Sequence, residues 1–243
     1  MQDSCGNEMP LGWITRREHE LLSDLEYFVF LHLEWSQQII DIREQFPLPL
    51  QETRAIAKTC GFAHPRGRGK DEIAPVTTDF VITLLTEKGA ADQALAVKYA
   101  KHLDDNRVVE KLEIERRYWE SKNIDWNFMT EHDISETVWR NVEDLHSYRE
   151  RRFLYPLSDR EVSDISIALT QRIVQPNAVL AEVTQVCDNL FHMPPGTSTK
   201  VARHLMANRI WQIDIEYRIN PRQRLVFLES PQIAAILGSE AAG

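Results

Sequence analysis

The sequence predicts an α/β protein of two domains, residues 1–155 and residues 156–243. Helical and strand-like hydrophobic patterns alternate over the first domain, which is typical of an α/β class. The segment RRFLYPLSDRE (151–161) has the charged, proline-containing composition of an interdomain hinge. After it, helical patterns are followed by two short apolar strands. With 243 residues, the chain is long enough to bury a core in each domain.

The spacing of apolar residues predicts each element of the first domain. Apolar side chains recur at helical spacing from Thr15 to about Trp35, and QIIDIREQF alternates like a strand until Pro47 stops it. DFVITLLTE and QALAVKYA are joined by a turn at Gly89, which predicts a hairpin. In chain order, the expected elements are a helix over 15–35, a strand over 38–46, a basic loop over 63–71, strands over 79–87 and 93–100, a helix over 105–122, a strand over 125–131 and a helix over 135–148.

The second domain is expected to contain two or three helices over 160–209, the last of them capped by Thr197 or Ser198. IWQIDIEY and LVFLE, separated by RINPRQR, then predict a β-hairpin. Helices followed by a two-stranded wing is the order of a winged-helix domain. Its acidic and basic residues nearly balance, so binding of protein and binding of DNA both remain open for this winged-helix-like module.

Composition and motif content exclude several classes of function. The formal charge of −9 provides no long-range basic field for nucleic acid. Cys5, Cys60 and Cys187 form no CxxC pair, so neither a disulfide framework nor a zinc site is expected. No apolar run approaches the ~18 residues of a membrane span, and the first residues lack a signal-peptide core, which favours a cytoplasmic protein.

The sequence also lacks the common motifs of nucleotide, zinc and serine chemistry. It contains no GxGxxG, HExxH or GxSxG. The loop segment HPRGRGKD resembles a phosphate-binding loop, but His64 stands at the first glycine position and Asp71 at the Ser/Thr position. Nucleotide hydrolysis, zinc proteolysis and serine hydrolysis are therefore not expected.

Asp79 and Lys98 form the first candidate site. In a hairpin that turns near Gly89, an acid at 79 and a lysine at 98 can lie opposite each other. An acid at the start of one strand and a lysine on the next is the skeleton of metal-dependent restriction-type nucleases. That pattern carries Glu or Gln two residues before the lysine, where this chain has Ala96. An ordinary strand-edge lysine paired with Asp79 or Asp92 is the alternative interpretation.

The flanking sequence resembles the TnsA family, the endonuclease subunits of heteromeric cut-and-paste transposases. The resemblance runs from about residue 19 to residue 133. The segments that carry it are HELLSDLEYFVFLHLEWSQQIIDIREQFPL (19–48), AHPRGRG (63–69), TTDF (77–80), AVKYA (96–100) and VVEKLEIERRYWESKNIDWNFMTE (108–131). It implies a restriction-endonuclease-like mixed-sheet fold for the amino-terminal domain.

The resemblance also implies roles for individual residues. Glu26 matches a metal-binding acid, Asp79 the central acid that can bridge metals, and Lys98 the catalytic lysine. The carbonyl of Val97 would supply another metal oxygen, and Glu115 matches a further acid of the catalytic group. Such hard oxygen ligands suit Mg²⁺, which Mn²⁺ can replace. Water or Glu115 would then fill the coordination position that alanine leaves.

DNA contacts are expected from five residues near this site, although the loop residues among them could equally form a solvated surface. They are Arg17, His19, Arg66, Arg68 and Lys70.

The implied activity is hydrolysis at the 5′ ends of a mobile element, on the strands that are not transferred, giving 5′-phosphate and 3′-hydroxyl ends in the bacterial cytoplasm. The implied partners are transposon-end DNA, a DDE-type transposase resembling TnsB that cuts and joins the 3′ ends, and an AAA+ ATPase regulator resembling TnsC. Two alternatives remain open: a self-sufficient restriction or repair nuclease, and a non-catalytic assembly subunit.

Overall fold

The computed structural model describes residues 9–67 and 74–232, which form two compact units, Met1–Ile134 and Ser135–Gly243. The division lies about twenty residues before the boundary expected at 155. The difference concerns the helix that begins after Ser135, which the sequence analysis placed in the first domain. Asn141 of that helix donates hydrogen bonds to the carbonyls of Ile215 and Tyr217, and these contacts fix it to the carboxyl-terminal unit.

The amino-terminal unit is a mixed α/β structure built on one four-stranded sheet. Its elements are α1 (Asp24–Trp35), β1 (Ile39–Pro47), α2 (Leu50–Cys60), β2 (Thr77–Thr86), β3 (Gly89–Val97), α3 (Asn106–Ser121) and β4 (Asp125–Met129). The strands lie in the order β1-β2-β3-β4. The first three are antiparallel, whereas β4 runs parallel to β3. The strands expected over 38–46, 79–87 and 125–131 and the β2–β3 hairpin are confirmed, whereas β3 covers Gly89–Val97 and not 93–100, so it ends before Lys98.

Two helices differ from the sequence expectation. The first begins at Asp24 and not at Thr15, because the Ser23 hydroxyl accepts a hydrogen bond from the Glu26 amide and caps the helix there. The sequence analysis missed α2. It begins directly after Pro49 and ends at Gly61, whose φ of 73° provides the left-handed cap that glycine favours.

A core cluster joins α2 and α3 to the sheet. Val81 and Ala94, which are paired across β2 and β3, pack with Ala57 of α2 and with Ile114 and Trp119 of α3. The Trp119 indole donates a 2.7 Å hydrogen bond to the Thr78 hydroxyl, so the polar end of the buried ring is satisfied. This packing sets α3 close to the beginning of β2.

The carboxyl-terminal unit contains α4 (Glu136–His146), α5 (Asp159–Ile173), α6 (Leu180–Leu190) and α7 (Thr197–Ala207). Thr197 or Ser198 was expected to cap α7. Both are instead the first residues of the helix, and neither caps it. Asp188 of α6 caps it instead, because its carboxylate accepts hydrogen bonds from the amides of Gly196 and Ser198, both 2.7 Å long.

The hairpin expected after the last helix is reduced to a single antiparallel bridge between Ile213 and Phe227. Two backbone hydrogen bonds of 2.8 Å flank the bridge, from the amide of Asp214 and from the amide of Leu228. The expected strands are therefore wrong in extent. In the part of the chain that the structure describes, no helix has the length and apolar character needed to cross a bilayer.

Candidate active site

Asp79 lies in the third position of β2 and is almost completely buried. Its Oδ2 accepts a 2.6 Å hydrogen bond from the Val97 amide and a 2.8 Å hydrogen bond from the Lys98 ammonium. Because Phe80 pairs with Leu95, continuing the register places Asp79 opposite Ala96. The expected pairing of Asp79 with Lys98 across the strands is therefore wrong by two residues.

Lys98 nevertheless reaches Asp79, because it follows the last residue of β3. Its own amide donates to the carbonyl of Met129, which fixes the backbone there. The side chain is about one-third exposed, at 34%. The sequence suggested a lysine inside a buried strand, whereas the structure has a lysine at the strand end that is paired with an acid and reaches solvent.

The Lys98 ammonium shows that two oxygen atoms of the predicted metal site converge. Nζ lies 2.8 Å from Asp79 Oδ2 and 2.7 Å from the carbonyl oxygen of Val97. These oxygens already share one positive charge, and both are hard donors of the kind that Mg²⁺ prefers. The donor set therefore fits a divalent cation on condition that the ammonium moves aside.

Glu26, in the first turn of α1, is buried, and four hydrogen bonds hold it in place. Its carboxylate accepts from the Leu22 amide, the Ser23 hydroxyl and the Gln45 side-chain amide, and its own amide donates to Ser23. Burial raises the pKa of Glu26, and the charge of Asp79 raises it further. The hydrogen bond from Gln45 links Glu26 to the part of β1 that pairs with β2 at Asp79.

Gln45 is a site residue that the sequence analysis missed. Its side-chain amide donates a 3.0 Å hydrogen bond to Glu26 Oε2, and its φ of 46° is left-handed, which is uncommon outside glycine. The neighbouring pairs of β1 and β2 place Gln45 opposite Asp79, so Gln45, Asp79 and Ala96 form one row across three strands. A glutamine in an alternating strand gives no sequence signal for this position.

Glu115 of α3 lines the same cleft as Asp79. It is 4% exposed, and the Trp126 indole donates a 3.1 Å hydrogen bond to Oε1. Burial, and then the charge of Asp79, raise the pKa of Glu115 to about 7. Within the described residues, no three His, Cys, Asp or Glu side chains form a group able to hold a metal ion. A metal here would therefore require main-chain oxygen, water or substrate as well.

A cleft of about 280 Å³ opens over Asp79, Lys98 and Glu115. Arg66 and Lys111 also line it, so its wall carries more positive than negative side chains. A DNA contact was expected from Arg66, whereas the sequence carries no signal for Lys111. The other two basic loop residues that were expected to contact DNA, Arg68 and Lys70, lie outside the described residues.

Arg17 and His19 both hold Glu44, and only Arg17 keeps an exposed side chain, at 43%. The expected DNA contact is therefore wrong for His19 and stays a prediction for Arg17. His19 is completely buried, with Nδ1 2.7 Å from Glu44 and Nε2 2.6 Å from Thr15, so it has no atom available to DNA. Arg17 donates two 2.6 Å hydrogen bonds to Glu44 and a 2.8 Å bond to the carbonyl of Ile42. Burial opposes the ionisation of Glu44, but the bonds from Arg17 and His19 hold its pKa at about 2. These residues fasten the segment before α1 to β1.

Comparison with known proteins agrees with this geometry. A family model described as TnsA-like endonuclease N terminal matches residues 36–131, and one described as TnsA endonuclease C terminal matches residues 133–215. The chain belongs to the TnsA family. The transposon Tn7 transposition protein TnsA of Escherichia coli is 47% identical over 136 residues, which are 56% of this chain and 48% of that protein. The alignment thus spans about half the length of this curated relative.

The TnsA match covers most of the candidate site. Asp79, Lys98 and Glu115 all lie within the amino-terminal match, whereas Glu26 precedes its first residue. Ala96 also lies within it, fully buried and paired with Phe128 of β4, and its methyl group has no atom that could bind a metal. Membership of the TnsA family thus accompanies a site in which one side-chain ligand of the restriction-type pattern is absent.

Proposed function

We propose that this chain is the DNA endonuclease subunit of a cut-and-paste transposition complex and cleaves the strands that are not transferred. The observation that carries the proposal is the meeting of Asp79, Lys98 and the Val97 carbonyl at one cleft of a TnsA-family chain. The cleft's remaining cations, Arg66 and Lys111, suit a phosphodiester substrate.

The metal in this proposal is Mg²⁺, or Mn²⁺ in its place, held by Asp79, the Val97 carbonyl and Glu26. When bound, it would activate water and stabilise charge on the scissile phosphate. Of the three buried acids Glu26, Asp79 and Glu115, only Asp79 forms an ion pair with a described residue, so a bound cation would compensate the other two when they ionise. The coordination position next to Ala96 would be filled by water or by Glu115.

The protein's own residues position the phosphodiester and handle its charge. Lys98, Arg66 and Lys111 attract the phosphate and stabilise the charge that develops as water attacks. A P–O bond forms to the water oxygen while the bond to the 3′ oxygen breaks, leaving 5′-phosphate and 3′-hydroxyl ends. With a pKa of about 7, Glu115 can accept a proton near neutral pH.

The proposed partners follow from the family and from the two-unit organisation. A DDE-type transposase would cut and join the 3′ ends of the element, and an AAA+ ATPase would contact this subunit in the bacterial cytoplasm. The carboxyl-terminal unit, with its helices and the Ile213–Phe227 bridge, would act as a winged-helix-like docking module for these partners or for DNA. Delivery of DNA by partners is compatible with a net charge of −9.

A non-catalytic assembly subunit is the second candidate, and Ala96 is the observation that favours it. Loss of a metal-binding side chain could leave a site that binds DNA ends without cutting them. The intact Asp79–Lys98 pair and the raised pKa of Glu115 favour catalysis instead, because a decayed site has no need to keep buried acids together.

Reconstitution tests the proposal. The chain, its partner transposase and labelled element-end DNA are combined in Mg²⁺, and cutting of the 5′ strand is followed for the wild type, for Lys98→Ala and for Lys101→Ala as a neighbouring control. We expect cutting by the wild type and by the control, with loss in Lys98→Ala. Normal cutting by Lys98→Ala would refute the catalytic assignment, and cutting by the chain alone would indicate a self-sufficient nuclease.

A further inference from the structure

A second groove adjoins the active-site cleft on its α2 side. It has a volume of about 560 Å³ and is lined by Gln51, Arg54, Ala55, Ala57, Lys58, Phe62 and His64. His64 lines this groove, and the next residues in the chain, Pro65 and Arg66, line the cleft. Consecutive residues of one short segment thus line the two depressions, and the 3.0 Å hydrogen bond between His64 and Thr53 ties this segment to α2.

No described acidic residue pairs with the cations of this groove. Arg54 and Lys58 are four residues apart on α2, so both occupy the same face of the helix about 6 Å apart along its axis. Neither side chain forms an ion pair or hydrogen bond with a described residue. The same holds for Arg66 and Lys111 in the neighbouring cleft.

Cations elsewhere on these two helices are neutralised. Arg116 and Arg117 of α3 both bind Glu113, and Lys122 binds Glu52 of α2 at 2.6 Å. Among the described residues, unpaired positive side chains therefore line both the cleft and one face of α2, although the chain's formal charge is −9. Such a concentration of positive charge favours a ligand that brings its own negative charges.

We propose that this groove holds the DNA backbone on one side of the scissile phosphate, with Arg54 and Lys58 contacting successive phosphates. The inference rests on the proposed nuclease function, because continuity with the active-site cleft identifies the anion as the flanking part of the same DNA. The contacts are to phosphates and therefore independent of base sequence. They give the chain a fixed direction along the duplex even where a partner supplies sequence recognition.

The test measures DNA binding by the chain alone, without divalent metal, on a 30-base-pair duplex at several salt concentrations. Each phosphate contact contributes a slope of about −0.9 to the dependence of log affinity on log salt. Removing two contacts in Arg54→Gln/Lys58→Gln should flatten the slope by about 1.8. Between 50 and 200 mM salt, the variant should therefore lose about 10-fold less affinity than the wild type.

Lys88→Gln is the matched control. The Lys88 side chain is also exposed and pairs with no described residue, but it lies in the β2–β3 turn, nine residues from Asp79. We expect its salt dependence to equal that of the wild type. An unchanged slope in the double variant, an equal loss in the control, or no binding by the wild type at ~20 mM salt would overturn the proposal.

A cleavage assay separates this proposal from the nuclease function. If Lys98→Ala abolishes cutting while the double variant binds and cuts DNA like the wild type, only the α2 contact is wrong. If the wild type never cuts but the double variant shows the flattened slope, the nuclease proposal is wrong and the DNA contact stands. Loss of partner assembly without DNA in the double variant would identify a protein-binding groove and overturn the proposal.

Discussion

Replacing Glu115 by glutamine should stabilise the amino-terminal unit at pH 8 and have little effect near pH 4.5. Burial and the charge of Asp79 raise the pKa of this carboxyl from 4.5 to about 7. The folded protein therefore holds a proton that the unfolded chain releases at lower pH. The stability that comes from this bound proton is complete below pH 4.5. It is lost as the pH rises through 7, where the folded protein must carry a buried negative charge.

The magnitude follows from the shift. A difference of about 2.5 pKa units at about 1.4 kcal/mol each corresponds to about 3 kcal/mol at pH 8. Glutamine keeps the shape and can still accept the hydrogen bond from Trp126, but it never carries the charge. The gain on substitution should therefore grow from about zero at pH 4.5 to about 3 kcal/mol at pH 8.

Urea unfolding in EDTA at pH 4.5, 6 and 8 measures this gain, fitted with one transition for each compact unit. Glu113→Gln on the same helix is the matched control with the opposite sign. Arg116 and Arg117 hold the pKa of Glu113 at about 2. Loss of the Glu113 carboxylate should therefore destabilise the unit at pH 8, and this destabilisation should fade as the pH falls through 2. If Glu115→Gln fails to stabilise, or stabilises equally at all three pH values, Glu115 does not carry the buried charge described above.

Three further predictions concern other parts of the molecule. Gln45→Ala removes a hydrogen bond to the Glu26 carboxylate, which should raise the pKa of Glu26 further. The pH profile of cleavage should then move upward. An unmoved profile would limit Gln45 to a structural role. Lys98→Met removes the ammonium from Asp79 Oδ2 and the Val97 carbonyl oxygen. Mn²⁺ binding, measured by calorimetry, should be retained or strengthened while cleavage is lost. Weaker Mn²⁺ binding would contradict the placement of the metal. Asp188→Asn removes the charged cap of α7 and should destabilise the carboxyl-terminal unit by about 1 kcal/mol in thermal unfolding, with Mn²⁺ binding unchanged.

Local signals explain which features were predictable from the sequence. The β2–β3 hairpin follows from two apolar runs around Gly89, and α3 follows from its helical spacing, so the meeting of Asp79 and Lys98 was foreseeable. Their register was not, because the hairpin pairs Thr86 with Gly89, which centres the turn one residue earlier than a pairing of 79 with 98 requires and moves the partner of Asp79 by two residues. Lys98 reaches Asp79 through its long side chain.

The features that were missed depend on contacts between distant parts of the chain. The role of Gln45 requires both a left-handed backbone in β1 and the approach of Glu26 from α1. The place of α4 in the carboxyl-terminal unit depends on Asn141 binding backbone groups more than seventy residues away. His19 looked available for DNA, because its burial against Glu44 of β1 has no local signature.

Strand-resolved analysis of element-end DNA cut in Mg²⁺ by the assembled complex tests the central claim most directly. The comparison is between the wild type, Asp79→Asn and Asp92→Asn, which alters a hairpin acid bound instead by Thr83 and Arg43. We predict that the Asp79→Asn complex leaves the 5′ strands intact while the partner transposase still cuts the 3′ ends. The Asp92→Asn complex should cut both the 5′ strands and the 3′ ends. Cutting of the 5′ strands by Asp79→Asn at the wild-type rate, with the same 5′-phosphate ends, would contradict the account.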